Sequence, residues 1–72
     1  MGKVKIWVEP ECGLWRLTVK GSPSVLEQLP YGHPGSDVAS RFCPYWAEVL
    51  EELTRLLTLA NLESLEVRNY SD

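Results

Sequence analysis

Residues 3–20 have the sequence KVKIWVEPECGLWRLTVK, and this stretch decides the fold that we predict. Apolar and polar side chains alternate over residues 3–9 and again over residues 14–20, which is the period of a half-buried β-strand. The intervening residues 10–13 include a proline and a glycine, and both residue types favour chain reversal. We therefore predict a β-hairpin.

A four-residue turn would fix which side chains of this hairpin face each other. It places apolar residues together on one face, in the pairs Val4–Val19, Ile6–Leu17 and Val8–Trp15. It places the remaining residues on the opposite face, in the pairs Lys3–Lys20, Lys5–Thr18 and Trp7–Arg16. The hairpin is thus predicted to bury one face and to leave Trp7 among basic side chains on the other.

The rest of the chain changes period. Residues 21–36 hold most of the Gly and Pro and predict a long connection, with one helical turn at residues 25–29 capped by Ser24. Apolar residues beyond this connection recur at spacings of three and four, as on one face of a helix. Pro44 interrupts that stripe but suits the first turn of a helix. We therefore favour a short turn followed by a main helix at residues 44–60 over a longer kinked helix.

A third strand is predicted at residues 65–68, where polar and apolar residues alternate again, and we place it beside the first strand. The outer face of the helix is predicted to hold solvated charges, namely Glu48, Glu51, Glu52 and Arg55, with Glu51 and Arg55 spaced as an ion pair. The predicted class is α+β, in the order β-β-α-β. One helix covers a small, mostly antiparallel sheet in a two-layer sandwich, and residues 1–72 form a single domain.

The composition indicates a folded domain with a mildly acidic surface. Hydrophobic residues make up 44% of the chain and include three Trp and three Tyr, more than a disordered chain would carry. The net charge of −3 disfavours a general nucleic-acid binder. The charge is uneven, because residues 1–20 hold four Lys and Arg against two Glu, whereas residues 21–72 hold three Arg against eight acidic residues.

The sequence also suggests where the protein acts. No apolar run is long enough to cross a membrane, and the first residues lack the apolar core of a signal peptide. We therefore expect no membrane association and a cytoplasmic location. Asn69-Tyr70-Ser71 matches the N-glycosylation motif, but without a secretion signal we assign it no role.

Catalytic and metal-binding motifs are not recognisable in the sequence. There is no phosphate-binding glycine loop, no H-E-x-x-H and no C-x-x-C, so we predict no metal and no cofactor. His33 with Cys43 or Cys12 could supply a base and a thiol nucleophile. Because no orienting group accompanies them, we favour an exposed loop histidine, free thiols and a buried Cys43. We expect a protein that is not an enzyme, and a thiol-dependent enzyme is the third alternative for its function.

The outer face of the hairpin is the most distinctive surface of the sequence, because Trp7 has the wrong parity for the core. Three explanations compete: the connection 21–36 covers the indole, Arg16 stacks on it as a solvated cation–π pair, or the indole is a contact surface. A basic face with an aromatic also suits single-stranded nucleic acid, but only one aromatic stands on it.

These observations predict a non-catalytic protein-interaction module that acts by self-association or by binding a protein partner. The predicted binding residues are Trp7, Arg16 and Lys5 on the sheet face, followed by Tyr31 and His33 in the connection. The alternative is a nucleic-acid-binding accessory protein that uses the same sheet face.

Overall fold

The computed structural model describes residues 2–68 and contains one four-stranded sheet with both helices on one face. The elements, in order, are β1 (Lys3–Glu11), β2 (Leu14–Lys20), α1 (Pro23–Leu26), β3 (Val38–Cys43), α2 (Trp46–Leu59) and β4 (Asn61–Val67). The strand order is β3-β2-β1-β4, in which only the β1–β4 pair is parallel. The predicted α+β two-layer class is confirmed, and β4 lies beside β1 as predicted. The glycosylation motif at residues 69–71 lies outside the described residues.

The hairpin turn contains two residues rather than the four predicted. Cys12 and Gly13 have φ angles of 53° and 79°, and positive values at both positions are typical of a type I′ turn. The predicted register was therefore wrong by two residues, and the observed pairs include Ile6–Val19, Val8–Leu17, Lys5–Lys20, Trp7–Thr18 and Glu9–Arg16. Because the shift is an even number, every side chain keeps its predicted face of the sheet.

Pro10 belongs to β1 rather than to the turn. It lies opposite Trp15, one position before the pair that closes the two-residue turn. Residues at this position of an antiparallel hairpin exchange no hydrogen bonds with the partner strand. The backbone nitrogen of Pro10, which carries no hydrogen, therefore faces the β4 side of β1. Pairing with β4 has ended there, since its last partner on β1 is Val8. The proline therefore leaves no ladder hydrogen bond unmade.

The sheet contains one strand that was not predicted, β3. Its residues had been assigned, from the spacing of their apolar side chains, to the beginning of the helical stripe. Ala39 and Cys43 are buried, whereas Val38 and Phe42 are exposed, which is the alternation of a strand. Pro44 disfavours helical geometry at the residue before it, and β2 offers a free edge with which the segment pairs. Val38 and Phe42 are four residues apart, and this spacing agreed with a helix only by coincidence.

The connection between β2 and β3 packs into the core on the helix side of the sheet. Its helix, α1, has Ser22 rather than Ser24 at the N-cap position, and neither serine caps it through a side-chain hydrogen bond. Val25, Leu26 and Leu29 are buried in the same cluster as the inner residues of the sheet. The connection therefore does not cover the opposite face, on which Trp7 stands.

The core lies between the sheet and α2, which begins two residues later than predicted and ends one residue earlier. After Leu59 the chain passes through Ala60 directly into β4, so the last strand is longer than the predicted residues 65–68. The buried apolar residues are Val4, Ile6, Val8, Leu17, Val19, Val25, Leu26, Leu29, Ala39, Cys43, Val49, Leu56 and Ala60. All the elements contribute to this one cluster except β4, whose residues are exposed throughout.

Candidate functional site

The face of the sheet that points away from the helices, called the outer face below, is open to solvent and collects the side chains predicted to bind a partner. Because Val4, Ile6 and Val8 point to the core, the alternate residues of β1 point to the outer face. The strand registers align three rows across the sheet: Phe42–Arg16–Glu9, Ser40–Thr18–Trp7–Glu66 and Val38–Lys20–Lys5–Ser64. Trp7, Arg16 and Lys5 thus share one surface.

Trp7 is half-buried and lines a groove of about 220 Å³, called the Trp7 groove below. The groove is lined by Trp7, Val8, Glu9, Arg16, Thr18, Glu66 and Arg68. Two guanidinium groups and two carboxylates therefore line the same groove as one indole ring. An aromatic wall beside charged side chains can hold an apolar or planar side chain while hydrogen-bonding the groups next to it.

Arg16 does not face Trp7 directly, which corrects the predicted cross-strand pair. It lies opposite Glu9, and its Nη1 atom is 3.5 Å from Oε2 of Glu11. Both side chains of this ion pair are about two-fifths exposed, so water screens it and it contributes little stability. The guanidinium still lines the Trp7 groove, one row away from the indole.

Lys5 marks a basic end of the outer face. It lies opposite Lys20, and its Nζ atom is 3.4 Å from Oε2 of Glu63. Together with Lys3 these residues line a shallow depression of about 240 Å³. The mutual repulsion of the lysines is only partly offset by Glu63, so this end would attract a carboxylate or phosphate.

Phe42 is the surface residue that sequence reasoning missed. Its side chain is 50% exposed and lies opposite Arg16, so the outer face carries a second aromatic ring. The error followed from assigning residues 38–43 to the helical stripe. The alternation of exposed Val38 and Phe42 with buried Ala39 and Cys43, ending at a proline, is the signal that would have revealed a strand.

Tyr31 and His33 are placed apart from the outer face. The Tyr31 hydroxyl donates a hydrogen bond of 2.6 Å to Oε2 of Glu52 on α2, and its ring lies 5.9 Å from the Arg41 guanidinium carbon. Burial, followed by the hydrogen bond to Glu52 and the charge of that carboxylate, raises the pKa of Tyr31 well above its ordinary value. His33 is exposed in the connection. Tyr31 thus belongs to an internal polar network, whereas His33 faces solvent.

Glu52 forms the centre of that network, which corrects its predicted place on the solvated face of the helix. Its side chain is 4% exposed, and Oε1 lies 3.3 Å from Nη1 of Arg41 and 3.6 Å from Nη1 of Arg55. Arg41 also approaches Glu48 at 3.7 Å. Arg55 therefore pairs with Glu52 rather than with Glu51 as predicted. These contacts tie the connection and β3 to α2.

The two cysteines are free thiols in different surroundings. Cys12 is exposed in the hairpin turn, and Cys43 is buried at the end of β3. Burial raises the pKa of the Cys43 thiol, so it stays protonated at neutral pH and is a poor nucleophile. Within residues 2–68 no three His, Cys, Asp or Glu side chains converge as metal ligands would.

No helix in the described part of the chain is both long and apolar enough to cross a bilayer. Comparisons with protein-family models, with curated proteins and with solved structures gave no match for this chain.

Proposed function

We propose that this chain is a small, non-catalytic interaction module that binds another protein through its outer face, with Trp7 as the anchor. The observation that carries this proposal is a half-buried indole in an open groove that Arg16 and Arg68 also line. Tryptophan and arginine are the residue types most enriched among those that dominate binding energy at protein interfaces. An uncovered sheet face that presents both is well suited to a partner.

The placement of the connection supports this use of the face. Its apolar residues Val25, Leu26 and Leu29 are buried on the helix side. Nothing in residues 2–68 therefore competes with a partner for the indole. We also propose that the protein acts in the cytoplasm, because an exposed, unpaired Cys12 suits a reducing compartment.

The charge of the face favours a protein over a nucleic acid as partner. The described residues of this face carry five cations, namely Lys3, Lys5, Arg16, Lys20 and Arg68. Four carboxylates stand among them: Glu9, Glu11, Glu63 and Glu66. Such a nearly neutral mixture offers ion pairs and hydrogen bonds to a polar protein rim, whereas a phosphate backbone would meet a carboxylate beside almost every cation.

The test compares the proteins retained by the immobilised chain and by two variants of it. We expect the wild type and Tyr45→Ala, whose ring is 68% exposed at the start of α2, to retain the same partner. Trp7→Ala should bind that partner at least about tenfold more weakly, because it removes the aromatic wall of the groove. Retention that is equal for all three proteins would contradict the proposal, as would unfolding of Trp7→Ala in circular dichroism, which would make Trp7 a core residue.

Binding of single-stranded nucleic acid is a second candidate, favoured by one observation that the sequence did not reveal. Phe42 joins Trp7 on the same face, and two rings can stack two bases. This candidate requires an affinity for a fluorescent oligonucleotide that falls steeply between about 50 and 200 mM salt. It also requires a loss of binding in Phe42→Ala. Binding that is absent, or that does not respond to salt, would exclude it.

A further inference from the structure

A second surface of the molecule, on the helix side, leaves large apolar side chains open to solvent. Five of them are between 40% and 52% exposed: Leu50, Leu57, Leu62, Leu65 and Val67. The last three are in β4, opposite the buried Val4, Ile6 and Val8 of β1, so they point to the core side of the sheet. Helix α2 does not extend far enough across the sheet to cover them.

The exposed leucines of α2 lie on the flank of the helix that faces β4, whereas Trp46, in the first turn, stacks on Trp15 of β2 with 4.9 Å between the ring centroids. At about 100° per residue, that flank holds the apolar residues Leu50, Leu53 and Leu57. The other flank holds all the charged residues of the helix, Glu48, Glu51, Glu52 and Arg55. Arg41 of β3 contacts Glu48 and Glu52, so the charged flank is turned towards β3. The apolar flank and the core side of β4 therefore form one groove, called the α2–β4 groove below.

The backbone of β4 adds an open sheet edge to this groove. Within residues 2–68 no strand pairs with the side of β4 that faces away from β1. The N–H of Arg68 donates to the carbonyl of Val8 at 2.8 Å. Because backbone groups alternate between the two sides of a strand, those of Leu65 and Val67 point to the free edge. Long, exposed edge strands with apolar side chains are sites of strand pairing between molecules.

We propose that a second copy of this chain occupies the α2–β4 groove, with the two β4 strands paired antiparallel and the two apolar flanks of α2 in contact. In a two-fold contact the same surface of each copy meets, so a surface with a strong charge of one sign would repel its copy. The apolar flank of α2 carries no charged residue, so it suits its own copy and offers nothing to recognise a charged partner. The pairing would join two four-stranded sheets into one of eight strands with the helices on the same side.

The size of the surface fits such a dimer. Helix α2 has 14 residues and β4 has seven, so both run for about 21–23 Å. The exposed apolar area between them is on the order of several hundred Å², comparable to the largest patches that soluble monomers expose. With the strand edge included, the contact approaches the roughly 800 Å² per partner of a standard protein interface.

The charges on β4 disfavour one register for the strand pair. Pairing centred on Leu65 places Ser64 of one copy opposite Glu66 of the other. Pairing centred on Glu66 would place two carboxylates directly opposite each other, which is destabilising. The first register also uses the free backbone groups of Leu65, which would bond to the same residue of the second copy.

The first test is the native mass of the full chain by light scattering over a range of concentrations. We expect twice the 8.2 kDa of one chain, with dissociation on dilution. Leu57→Lys and Leu65→Lys place a charge in the α2–β4 groove and should each raise the dimer dissociation constant by at least about tenfold. Ser40→Lys places the same charge on the other edge strand, β3, and should leave the constant unchanged. A wild-type chain that is monomeric up to millimolar concentration overturns the proposal.

The second test uses a disulfide and does not depend on a disruptive substitution. In an antiparallel pair that exchanges hydrogen bonds, opposite Cα atoms are about 5.5 Å apart, within the range that a disulfide spans. Leu65→Cys in a Cys12→Ser background should therefore form a covalent dimer on mild oxidation, whereas Ser40→Cys in that background should not. Equal cross-linking of the two variants overturns the proposed contact.

The dimer and the proposed function can fail separately. Trp7 is on the opposite face of the sheet, so Trp7→Ala should leave the dimer intact. A dimer that is lost in Trp7→Ala but survives both lysine substitutions would place self-association on the outer face and overturn this inference. A monomeric chain that still binds a partner through Trp7 would overturn the dimer alone.

Discussion

Replacing Tyr31 by Phe tests the buried network because it removes a single oxygen atom. The lost hydrogen bond is 2.6 Å long and ends on a carboxylate that is 4% exposed. Hydrogen bonds to charged groups contribute about 1.5–3 kcal/mol. Arg41 and Arg55 still approach the carboxylate, so its charge is not left isolated. We therefore expect the free energy of unfolding to fall by about 2 kcal/mol.

This loss is large relative to the stability of so small a domain. At 0.05–0.15 kcal/mol per residue, 72 residues give an unfolding free energy of roughly 4–11 kcal/mol. A change of about 2 kcal/mol corresponds to a fall in melting temperature of roughly 8–16 °C. Urea unfolding followed by circular dichroism measures the change from the shift in midpoint.

The control for this measurement is Tyr45→Phe, which removes the same atom from a side chain that is 68% exposed. That substitution should change the unfolding free energy by less than about 0.5 kcal/mol. A double-mutant cycle with Glu52→Gln then isolates the pair, because Tyr31→Phe should cost less when the carboxylate is absent. If Tyr31→Phe behaves like Tyr45→Phe, or costs the same in both backgrounds, the reasoning about the network is refuted.

Four further predictions concern the titration of Tyr31, the two residues of the hairpin turn and the two thiols. The raised pKa of Tyr31 means that the folded chain keeps a proton that the unfolded chain releases above about pH 10, so stability is full below that pH and falls above it. Urea midpoints measured from about pH 8 to 11 should therefore decline less in Tyr31→Phe than in the wild type. Gly13→Ala should cost about 1 kcal/mol in urea unfolding, because its φ of 79° is unfavourable for a residue with a Cβ although the space is empty. Cys12→Asn should be neutral or stabilising there, since Asn tolerates this geometry, and a cost equal to that of Gly13→Ala would contradict a type I′ turn. A thiol reagent should label Cys12 rapidly and Cys43 only at the rate of unfolding, and rapid labelling of both would contradict the burial of Cys43.

The sequence predicted the hairpin faces better than the hairpin register. Alternation over β1 and β2 determines which side chains share a face, and this parity is insensitive to an even shift. The length of the turn depends on whether Cys12 adopts a positive φ angle. Cysteine is not a residue type that indicates this conformation, unlike glycine or asparagine. Pro10 was assigned to the turn because proline favours chain reversal, but the side of β1 that is left unpaired beyond Val8 accommodates it within the strand.

Side chains whose place depends on tertiary contacts could not be predicted from local pattern. Glu52 is buried because the connection and β3 bring Tyr31 and Arg41 to it, and both lie more than ten residues away in the chain. Phe42 could be placed on the outer face only once its segment was known to pair with β2. Trp7 and Lys5, by contrast, were placed correctly on that face, because their neighbours in β1 are apolar at every second position.

Helix α2 passes into β4 through the single residue Ala60, which is buried and already extended, with φ at −156°. Asn61 then donates its N–H to the carbonyl of Gly2, so the strand is engaged from its first residue. One inserted residue at this junction would have to turn the helix by about 100° or reverse the faces of β4. The exposed residues 33–35 carry no such constraint. We therefore expect natural variants of this chain to differ in length at the connection and to keep the number of residues from Val49 to Leu65 constant.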